Sequence, residues 1–385
     1  MSTYGTGLSG GDRIFIELSK ILSKKNSVSV YVWEEGIKIC QREGLKNVNY
    51  VLWSSIFWAK FGFIINYFAR IFIAIIKSLS LRVINEPETI IFSASEFWQD
   101  SLSAFILKMR YPKTKWVAAW YQTAPNPFVG YSEHKEKSRY RLNAFLYWFM
   151  QQPIKPLIKV CADLVIVNNE SEKEQFSKMN KNNQVIVMLG AVDLEKIAKY
   201  RSTNKKITKI YDAVFQGRFH PQKGVVELID IWKIIVLSKP NALLVMIGDG
   251  SLMEDVKKKI KENKLERNVK LLGYVFDGPE KYRIFSQSKI VLHPAFYDSG
   301  GMASAEVLAF GVPIVGFDLI AYSSYYPKGM VKVKVGDIQD FARQVLILLN
   351  NKKLRVRIGE EGLQMLRSNW SWNSRVGNLI NALSK

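Results

Sequence analysis

The chain has 385 residues, which is too long for one ordinary domain and predicts two domains of roughly 150–200 residues each. Hydrophobic residues make up 48% of it and charged residues 23%, a composition that excludes a mostly disordered protein. Lys and Arg number 55 against 34 Asp and Glu, and the net charge of +21 is spread over both halves of the chain. This charge predicts an anionic partner, without distinguishing nucleic acid, an anionic lipid surface and a phosphorylated small molecule.

The start of the chain and its cysteines bear on location. Cys40 and Cys161 are too few for a disulfide framework, and no Cys/His cluster has zinc-site spacing. The first nine residues carry neither the basic nor the apolar region of a signal peptide, so we expect a reducing, cytoplasmic location. None of these residues forms an apolar run before Gly10. We therefore expect the first strand of the first sheet to be missing from this sequence, or that sheet to be built differently.

The first half of the chain alternates short apolar runs with helix-length amphipathic segments. This alternation is typical of parallel α/β sheets, in which a helix connects each strand to the next. Strands are predicted at 28–33, 48–53, 89–93, 115–121, 164–168 and 184–189.

The most apolar segment runs from residue 51 to residue 84 and is interrupted by Lys60, Arg70 and Lys77. A spanning helix needs about 20 apolar residues, and a charged Arg at the bilayer centre is costly, so these charges argue against a span. Two interpretations remain. The segment is either a buried helix whose cationic groups extend outward to water, or a helix lying in a membrane interface with its aromatic side chains among the headgroups.

A polar stretch at 199–209 separates the two halves, and the same alternation then repeats. We predict a first domain over 1–200, a second over 201–370, and a C-terminal helix at about 371–385 that packs back onto the first domain. Two doubly wound parallel sheets predict a cleft between the domains, where the carboxyl ends of strands bind ligands. The strands of the second half are predicted at 211–216, 242–248, 268–273, 290–293, 313–317 and 331–335.

A cationic loop, GRFHPQKG at 217–224, follows the first strand of the second half. Arg218 and Lys223 bracket this loop, and Gly224 precedes a predicted helix. Two cations at the carboxyl end of a strand can neutralise a diphosphate, because Arg supplies a bidentate fork and Lys a point charge. A solvated surface pair is the alternative interpretation.

The strongest signal is the segment HPAFYDSGGMASAEVLAFGVPIVGF at 293–317, in which an apolar strand leads through a glycine pair into a helix. Consecutive glycines allow the backbone to approach a ligand, and the N–H groups of Gly301, Met302 and Ala303 would then form an anion site. Carboxylates accept pairs of hydroxyl hydrogen bonds, so Asp298 in the loop and Glu306 on the helix suit a sugar or ribose ring. The alternative is a strand-turn-helix with a buried, satisfied Glu.

These segments resemble the donor domain of retaining GT-B glycosyltransferases, those of glycosyltransferase family 4 (glycosyl transferases group 1). The Glu-x7-Glu segment of that family corresponds to Asp298 and Glu306, and its Gly-Arg loop corresponds to 217–224. Weaker landmarks at 162–168, 190–193, 247–250 and 272–275 extend the resemblance over nearly the whole chain. The resemblance implies a GT-B fold, with two Rossmann-like domains of parallel sheet facing a cleft.

The resemblance also implies a role for each matching residue. Arg218 and Lys223 would bind the diphosphate of a nucleotide sugar and stabilise the leaving group. Glu306 would hold the ribose, and Asp298, one methylene shorter than the Glu of the family, would contact the sugar. The other implied donor-binding residues are Gly10 and Gly11 in a first-domain glycine loop, Gly217 in the cationic loop, Tyr274 and Val275 beside the nucleobase, and Gly300, Gly301, Met302 and Ala303 beside the sugar and phosphate.

The implied reaction is transfer of a hexose-type sugar from a nucleotide-diphosphate sugar with retention of configuration. The sequence contains no Asp-x-Asp, the usual metal anchor of the other glycosyltransferase fold, so we expect no metal and no cofactor. The aromatic, basic first domain favours a lipid-linked or glycan acceptor, with the protein peripheral at an anionic, cytoplasmic membrane face. The alternatives are a nucleotide-sugar epimerase of the same fold, a non-catalytic partner subunit, and, without any supporting motif, a basic nucleic-acid-binding protein.

Overall fold

The computed structural model describes residues 7–124, 141–176, 184–204 and 207–383. The chain divides into two compact units. Of the described residues, the first unit comprises 7–124, 143–176, 184–190 and 372–383, and the second comprises 141–142, 191–204 and 207–371.

Twelve strands occupy the positions predicted from the sequence, and each strand bound lies within two residues of its prediction. The strands of a parallel sheet are buried on both faces, so they read as continuous apolar runs bounded by polar residues. The strands are β1 (Ser29–Trp33), β2 (Asn49–Ser54), β3 (Ile90–Ser93), β4 (Lys115–Trp120), β5 (Leu164–Val167), β6 (Gln184–Val187), β7 (Tyr211–Gln216), β8 (Leu244–Ile247), β9 (Val269–Leu271), β10 (Ser288–His293), β11 (Ile314–Phe317) and β12 (Met330–Val333).

Sixteen α-helices connect or flank these strands in the described residues. They are α1 (Gly10–Leu22), α2 (Glu34–Arg42), α3 (Gly62–Ser80), α4 (Trp98–Arg110), α5 (Arg141–Gln151), α6 (Ile154–Cys161), α7 (Glu170–Glu174), α8 (Leu194–Thr203), α9 (Val225–Ser238), α10 (Met253–Glu262), α11 (Pro279–Gln287), α12 (Met302–Leu308), α13 (Tyr322–Tyr325), α14 (Ile338–Asn350), α15 (Lys352–Asn369) and α16 (Trp372–Leu383).

The second unit is built on one six-stranded parallel sheet in the order β12-β11-β10-β7-β8-β9. Strand order reverses direction between β7 and β10, as in a doubly wound Rossmann sheet, and ligands bind at the carboxyl ends of strands beside such a point. The core below this edge is fully apolar and includes Phe215, Phe219 and Trp232, none of which is exposed. This rigid core holds the loops that leave β7 and β10.

The first unit differs from the single sheet that the sequence predicted. Its strands form a two-stranded sheet, β1-β2, and a four-stranded sheet, β3-β4-β5-β6, both parallel. Helix α1 joins them through one apolar core, in which Phe15 of α1 stacks on Phe92 of β3 at 5.9 Å and Ile16 packs with Val30 and Val32. The first described element is therefore this amphipathic helix.

The boundary between the units lies about ten residues before the predicted one at residue 200, since residues 191–200 belong to the second unit. Helix α8 is tied there by aromatic packing of Tyr200 on Tyr282 and Phe310, with ring centroids 5.5 and 6.2 Å away. Helix α16 belongs to the first unit, where the ammonium of Lys115 donates to the carbonyl of Leu383 at 2.6 Å.

Arg70 of α3 contradicts the interpretation in which the cationic groups of this segment extend outward to water, whereas Lys60 and Lys77 are exposed. The Arg70 side chain is buried, 1% exposed, and its guanidinium bonds to Glu35 at 2.7 Å and to Asn66 at 3.0 Å. It also lies over the ring of Trp33 at 5.2 Å. The charge is buried because a carboxylate of α2 and an amide one turn away satisfy it, which the local sequence pattern of α3 does not reveal.

Candidate functional site

The cationic loop after β7 is held by a left-handed glycine. A short 3-10 turn (Pro221–Lys223) ends at Gly224, whose φ of 62° favours glycine. A Cβ atom at this position would lie 2.0 Å from the carbonyl oxygen of Pro294, so the turn packs directly on the loop after β10. The N–H of Phe296 also donates to the carbonyl of Gln222 at 2.9 Å. These contacts bring the two predicted ligand loops together.

The contact between the loops places Lys223 on Asp298. The ammonium of Lys223 lies 2.5 Å from Asp298 Oδ2, and the two side chains are 15% and 9% exposed. Burial alone would raise the pKa of the Asp298 carboxyl, but Lys223 and a hydrogen bond from His293 outweigh burial and hold it well below its usual range. Asp298 is therefore a carboxylate at neutral pH, able to accept hydrogen bonds and unable to donate a proton.

His293, the last residue of β10, lies beneath this ion pair. Its Nε2 atom is 3.0 Å from Asp298 Oδ2 and 2.5 Å from the hydroxyl of Tyr322. Burial lowers the pKa of His293 despite the attraction of Asp298, so the ring is neutral. Its Nδ1 atom is buried and has no partner in the described part of the chain.

The glycine pair before α12 is tightly packed. A Cβ atom on Gly300 would lie 2.3 Å from the ring of Tyr325, and Gly301 adopts the left-handed φ of 61° that starts the helix. The carbonyl of Gly301 accepts a hydrogen bond from the hydroxyl of Tyr326 at 2.6 Å. Met302 and Ala303 are the first two residues of α12, and their N–H groups precede any intrahelical acceptor.

Glu306 of α12 belongs to a second cluster. Its Oε2 atom accepts hydrogen bonds from Gln216 at the end of β7, at 3.1 Å, and from Lys281 of α11, at 2.9 Å. Lys281 also bonds to Asp277 at 2.7 Å, and its side chain is only 5% exposed. Burial would lower the pKa of Lys281, but Glu306 and Asp277 outweigh it and raise the pKa. Glu306 is thus fixed by a buried cation.

The other predicted donor residues of the second unit join neither cluster. Arg218 is exposed, and its guanidinium makes no hydrogen bond or ion pair within the described residues, so it bonds to neither carboxylate. Gly217 follows β7 directly, and its carbonyl lies against Gly248 after β8. Tyr274 and Val275 lie just beyond β9; Tyr274 is 46% exposed and packs edge-on against Phe276 at 5.0 Å.

Gly10 and Gly11 lie elsewhere, in the first turn of α1 of the first unit, where a glycine loop was expected. Ser9 and Asp12 form a capping box that starts the helix at Gly10, so the glycine pair is helical. A Cβ atom on Gly11 would lie 2.7 Å from the ring of Tyr121, which explains the small residue there.

Three side chains of the site were not singled out from the sequence: Lys281, Gln216 and His293. A signal existed for Lys281, because it lies three and four residues before the buried Ile284 and Phe285 of α11 and so on the inward face of the helix. It also follows Asp277 by one helical turn. No comparable local signal marks Gln216.

Residues 196–365 match the family model described as glycosyl transferases group 1, and this range lies within the second unit. A poly(ribitol-phosphate) alpha-N-acetylglucosaminyltransferase of Staphylococcus aureus is 28% identical over 234 residues, covering 55% of this chain and 46% of the relative. An uncharacterized glycosyltransferase of Methanocaldococcus jannaschii is 24% identical over 375 residues, covering 94% and 91%. The chain thus spans about half the length of the first relative and nearly all of the second.

Solved structures share the fold. HepE of Anabaena, crystallised with UDP and glucose, aligns with a TM-score of 0.70 at 14% identity over 100% of this chain and 98% of that one. A mutant form of TarM of S. aureus, crystallised with UDP, fondaparinux and alpha-GlcNAc-glycerol, aligns with a TM-score of 0.61 at 16% identity. The alignment covers 83% of this chain and 59% of that one. At these identities the likeness shows the fold, which is the GT-B fold with Rossmann-like parallel sheets.

Proposed function

We propose that this protein is a glycosyltransferase that moves a sugar from a nucleoside-diphosphate sugar to a hydroxyl group of a glycan or polymer acceptor. The observation that supports it best is the meeting of Lys223 and Asp298 at the carboxyl edge of the second Rossmann sheet, within the range that matches glycosyl transferases group 1. UDP is the first nucleotide to test, because the HepE and TarM crystals contain it.

In this proposal the cations act on the leaving group. Negative charge grows on the departing diphosphate as the anomeric bond breaks, and cations already aimed at that oxygen stabilise the transition state. Lys223 and the exposed Arg218 supply this charge, aided by the N–H groups of residues 301–303. Asp298 accepts a hydrogen bond from a sugar hydroxyl, and Glu306, held by Lys281, accepts those of the ribose.

We propose retention of configuration and a metal-independent reaction as the finer features of this activity. Lys and Arg side chains can provide the positive charge that a divalent cation supplies in other transferases. Retention would follow from attack of the acceptor on the same face that the diphosphate leaves. Analysis of the anomeric configuration of the product, and turnover in excess chelator, test these two features separately.

We further propose that the acceptor is lipid-linked or otherwise held at the cytoplasmic membrane face, where this basic protein is peripheral. The net charge of +21 and the absence of Asp and Glu between residues 51 and 85 support this placement. Poly(ribitol phosphate) and poly(glycerol phosphate) are useful acceptors to compare with a lipid-linked one, because relatives are named for them.

Replacing Lys223 by Ala tests the proposal, with Lys233→Ala on the exposed side of α9 as the matched control. We expect Lys223→Ala to lower acceptor-dependent release of nucleoside diphosphate by about a hundredfold or more, in line with loss of one aimed transition-state donor. Lys233→Ala should turn over like the wild type. Unchanged turnover in Lys223→Ala would remove the residue from the site, and no acceptor-dependent release in the wild type with any nucleotide sugar would refute transfer.

A further inference from the structure

Helix α3 buries several polar side chains and exposes an apolar face, unlike an ordinary surface helix. Its inward face carries Asn66, Tyr67 and Arg70, all 5% exposed or less, beside the buried Ile71, Ala74 and Ser78. The carbonyl of Tyr67 accepts a hydrogen bond from the amide of Gln99 of α4 at 3.2 Å, and Arg70 bonds to Glu35. These contacts fix the rotation of the helix about its axis.

The outward face is a continuous row of large apolar side chains, which we name the α3 stripe. Its members follow each other at intervals of three or four residues, so they lie on one side of the helix. They are Ile65, Phe68, Phe72, Ile76 and Leu79, exposed by 51, 55, 66, 50 and 56%. The preceding 3-10 turn continues the row with Ile56, Phe57 and Phe61, which are 46, 48 and 51% exposed. Contiguous apolar surface of this extent marks an interaction site.

Within the segment that forms the α3 stripe, all charges are of one sign. Residues 51–85 contain no Asp or Glu, and the exposed cations there are Lys60, Lys77 and Arg82. One carboxylate from outside the segment, that of Glu34, reaches the end of the row, where it accepts a hydrogen bond from the N–H of Ile56 at 3.1 Å. The ammonium of Lys60 lies 5.2 Å from the ring of Phe57, at the edge of the apolar row. Apolar and aromatic side chains bordered by cations match the boundary between acyl chains and anionic headgroups. A second copy of the same face would instead bring like charges together.

The segment 56–80 is long and apolar enough to cross a bilayer, since a stretch of 18 residues within it has a mean hydropathy of 1.7 and only 28% of that stretch is buried. Crossing would separate Arg70 from Glu35 and Trp33 and place its guanidinium in hydrocarbon, which is unfavourable for a charged group. Lying flat keeps these contacts, because the buried face and the α3 stripe are on opposite sides of the helix.

We infer that the α3 stripe is a membrane-docking surface that inserts into the interface of an anionic bilayer while α3 remains packed on the first unit. Docking through this surface would bring the protein to the proposed membrane-held acceptor. Only this link to the acceptor rests on the proposed function. Binding itself requires neither donor nor catalysis.

Flotation of the full chain with vesicles tests this surface. The vesicles contain phosphatidylcholine alone, or phosphatidylcholine and phosphatidylglycerol in equal parts. The apolar variant is Phe68→Asp/Phe72→Asp, and the charge variant is Lys60→Glu/Lys77→Glu. The matched control is Leu237→Asp/Ile320→Asp, which alters two side chains of the second unit that are 78 and 80% exposed. Circular dichroism and a thermal-shift response to UDP, both without vesicles, verify the fold and the donor site of each variant.

We expect the wild type and the control to float with anionic vesicles and to be released by alkaline carbonate. The apolar variant should lose at least about tenfold in partitioning, because each transferred Phe side chain contributes more than that factor. The charge variant should bind anionic and neutral vesicles equally weakly. Failure of the folded wild type to float overturns the inference, as does release by detergent alone, which indicates a span. Concentration-dependent dimerisation that the apolar variant abolishes, without vesicle binding, would assign the stripe to a second copy. A UDP response that persists while flotation fails leaves the proposed transferase standing.

Discussion

Lys281 offers a direct test of the electrostatics of the candidate site. The change Lys281→Met keeps the length of the apolar stem and removes an ammonium that lies 2.9 Å from Glu306 and 2.7 Å from Asp277. Two carboxylates then remain close together without their cation. Removing one partner of a fully buried ion pair costs about 3–5 kcal/mol.

The burial of the two carboxylates determines how large a loss of stability we expect. Lys281 is 5% exposed, but Glu306 and Asp277 are 17 and 27% exposed, so water relieves part of the cost. We therefore expect a loss of about 2–3 kcal/mol in the free energy of unfolding of the second unit. In a domain of this size that loss corresponds to a fall of roughly 5–10 °C in Tm.

Differential scanning fluorimetry and urea unfolding measure this loss of stability, and two further variants test whether it comes from the ion pair. Lys281→Met/Glu306→Gln removes one of the stranded charges and should recover about half of the stability, a coupling of about 1 kcal/mol or more. Lys289→Met breaks the more exposed pair with Asp212 and should cost less than about 1 kcal/mol. A Lys281→Met protein as stable as the wild type, or no recovery in the double variant, would refute the claim that Lys281 holds Glu306 through charge.

Two further predictions concern the cationic loop. Burial, with Arg218 and Lys223 adding to it, lowers the pKa of His220 from 6.5 to about 4, so the unfolded chain binds more protons than the folded one between those pH values. The free energy of unfolding should therefore fall as the pH drops from 6.5 towards 4. The variant His220→Asn offers a side-chain oxygen in place of the capping Nδ1 atom, and in pH-dependent urea unfolding it should reduce this fall by about 2 kcal/mol. An equal fall in the variant and the wild type would contradict the prediction. Gly224→Ala should cost about 2 kcal/mol or more in the same assay, since its Cβ meets a backbone carbonyl at 2.0 Å, while Gly377→Ala, a helical position with nothing within 4 Å, should be neutral or stabilising. Equal stability of the two alanine variants would contradict the claim that Gly224 is required by its contact with the loop after β10.

The strand positions could be predicted from the sequence because buried strands consist mainly of apolar residues. β5, β8 and β11 are buried at every residue, so each appears as an uninterrupted apolar run. The approach of the two ligand loops could be predicted from topology, because the loops after β7 and β10 leave adjacent strands at the same edge, but the ion pair between Lys223 and Asp298 was not predicted. The division of the first sheet into β1-β2 and β3–β6 could not be predicted, because an apolar run predicts a strand but does not indicate which other strand it pairs with.

Charged side chains were the hardest to place. Arg70 finds Glu35 thirty-five residues away, and Lys281 finds Glu306 twenty-five residues away, and no local pattern encodes either partner. A Lys or Arg on an apolar helix is usually expected to extend to water, because burial without a partner is costly. Arg70 and Lys281 are buried instead, because a carboxylate from another element lies within hydrogen-bond distance of each.

In the proposed reaction, the two cations of the loop at 217–224 have different roles. Lys223 is already compensated by Asp298, and His293 beneath them is kept neutral by burial, so this cluster carries little net charge before a ligand arrives. A diphosphate adds more negative charge than Lys223 can balance without abandoning Asp298. Arg218 is exposed and without an ion pair in the described residues, so its guanidinium can meet the phosphates with no internal contact to break. Arg218 would then give the donor its affinity, while the Lys223–Asp298 pair remains in place to act on the breaking bond.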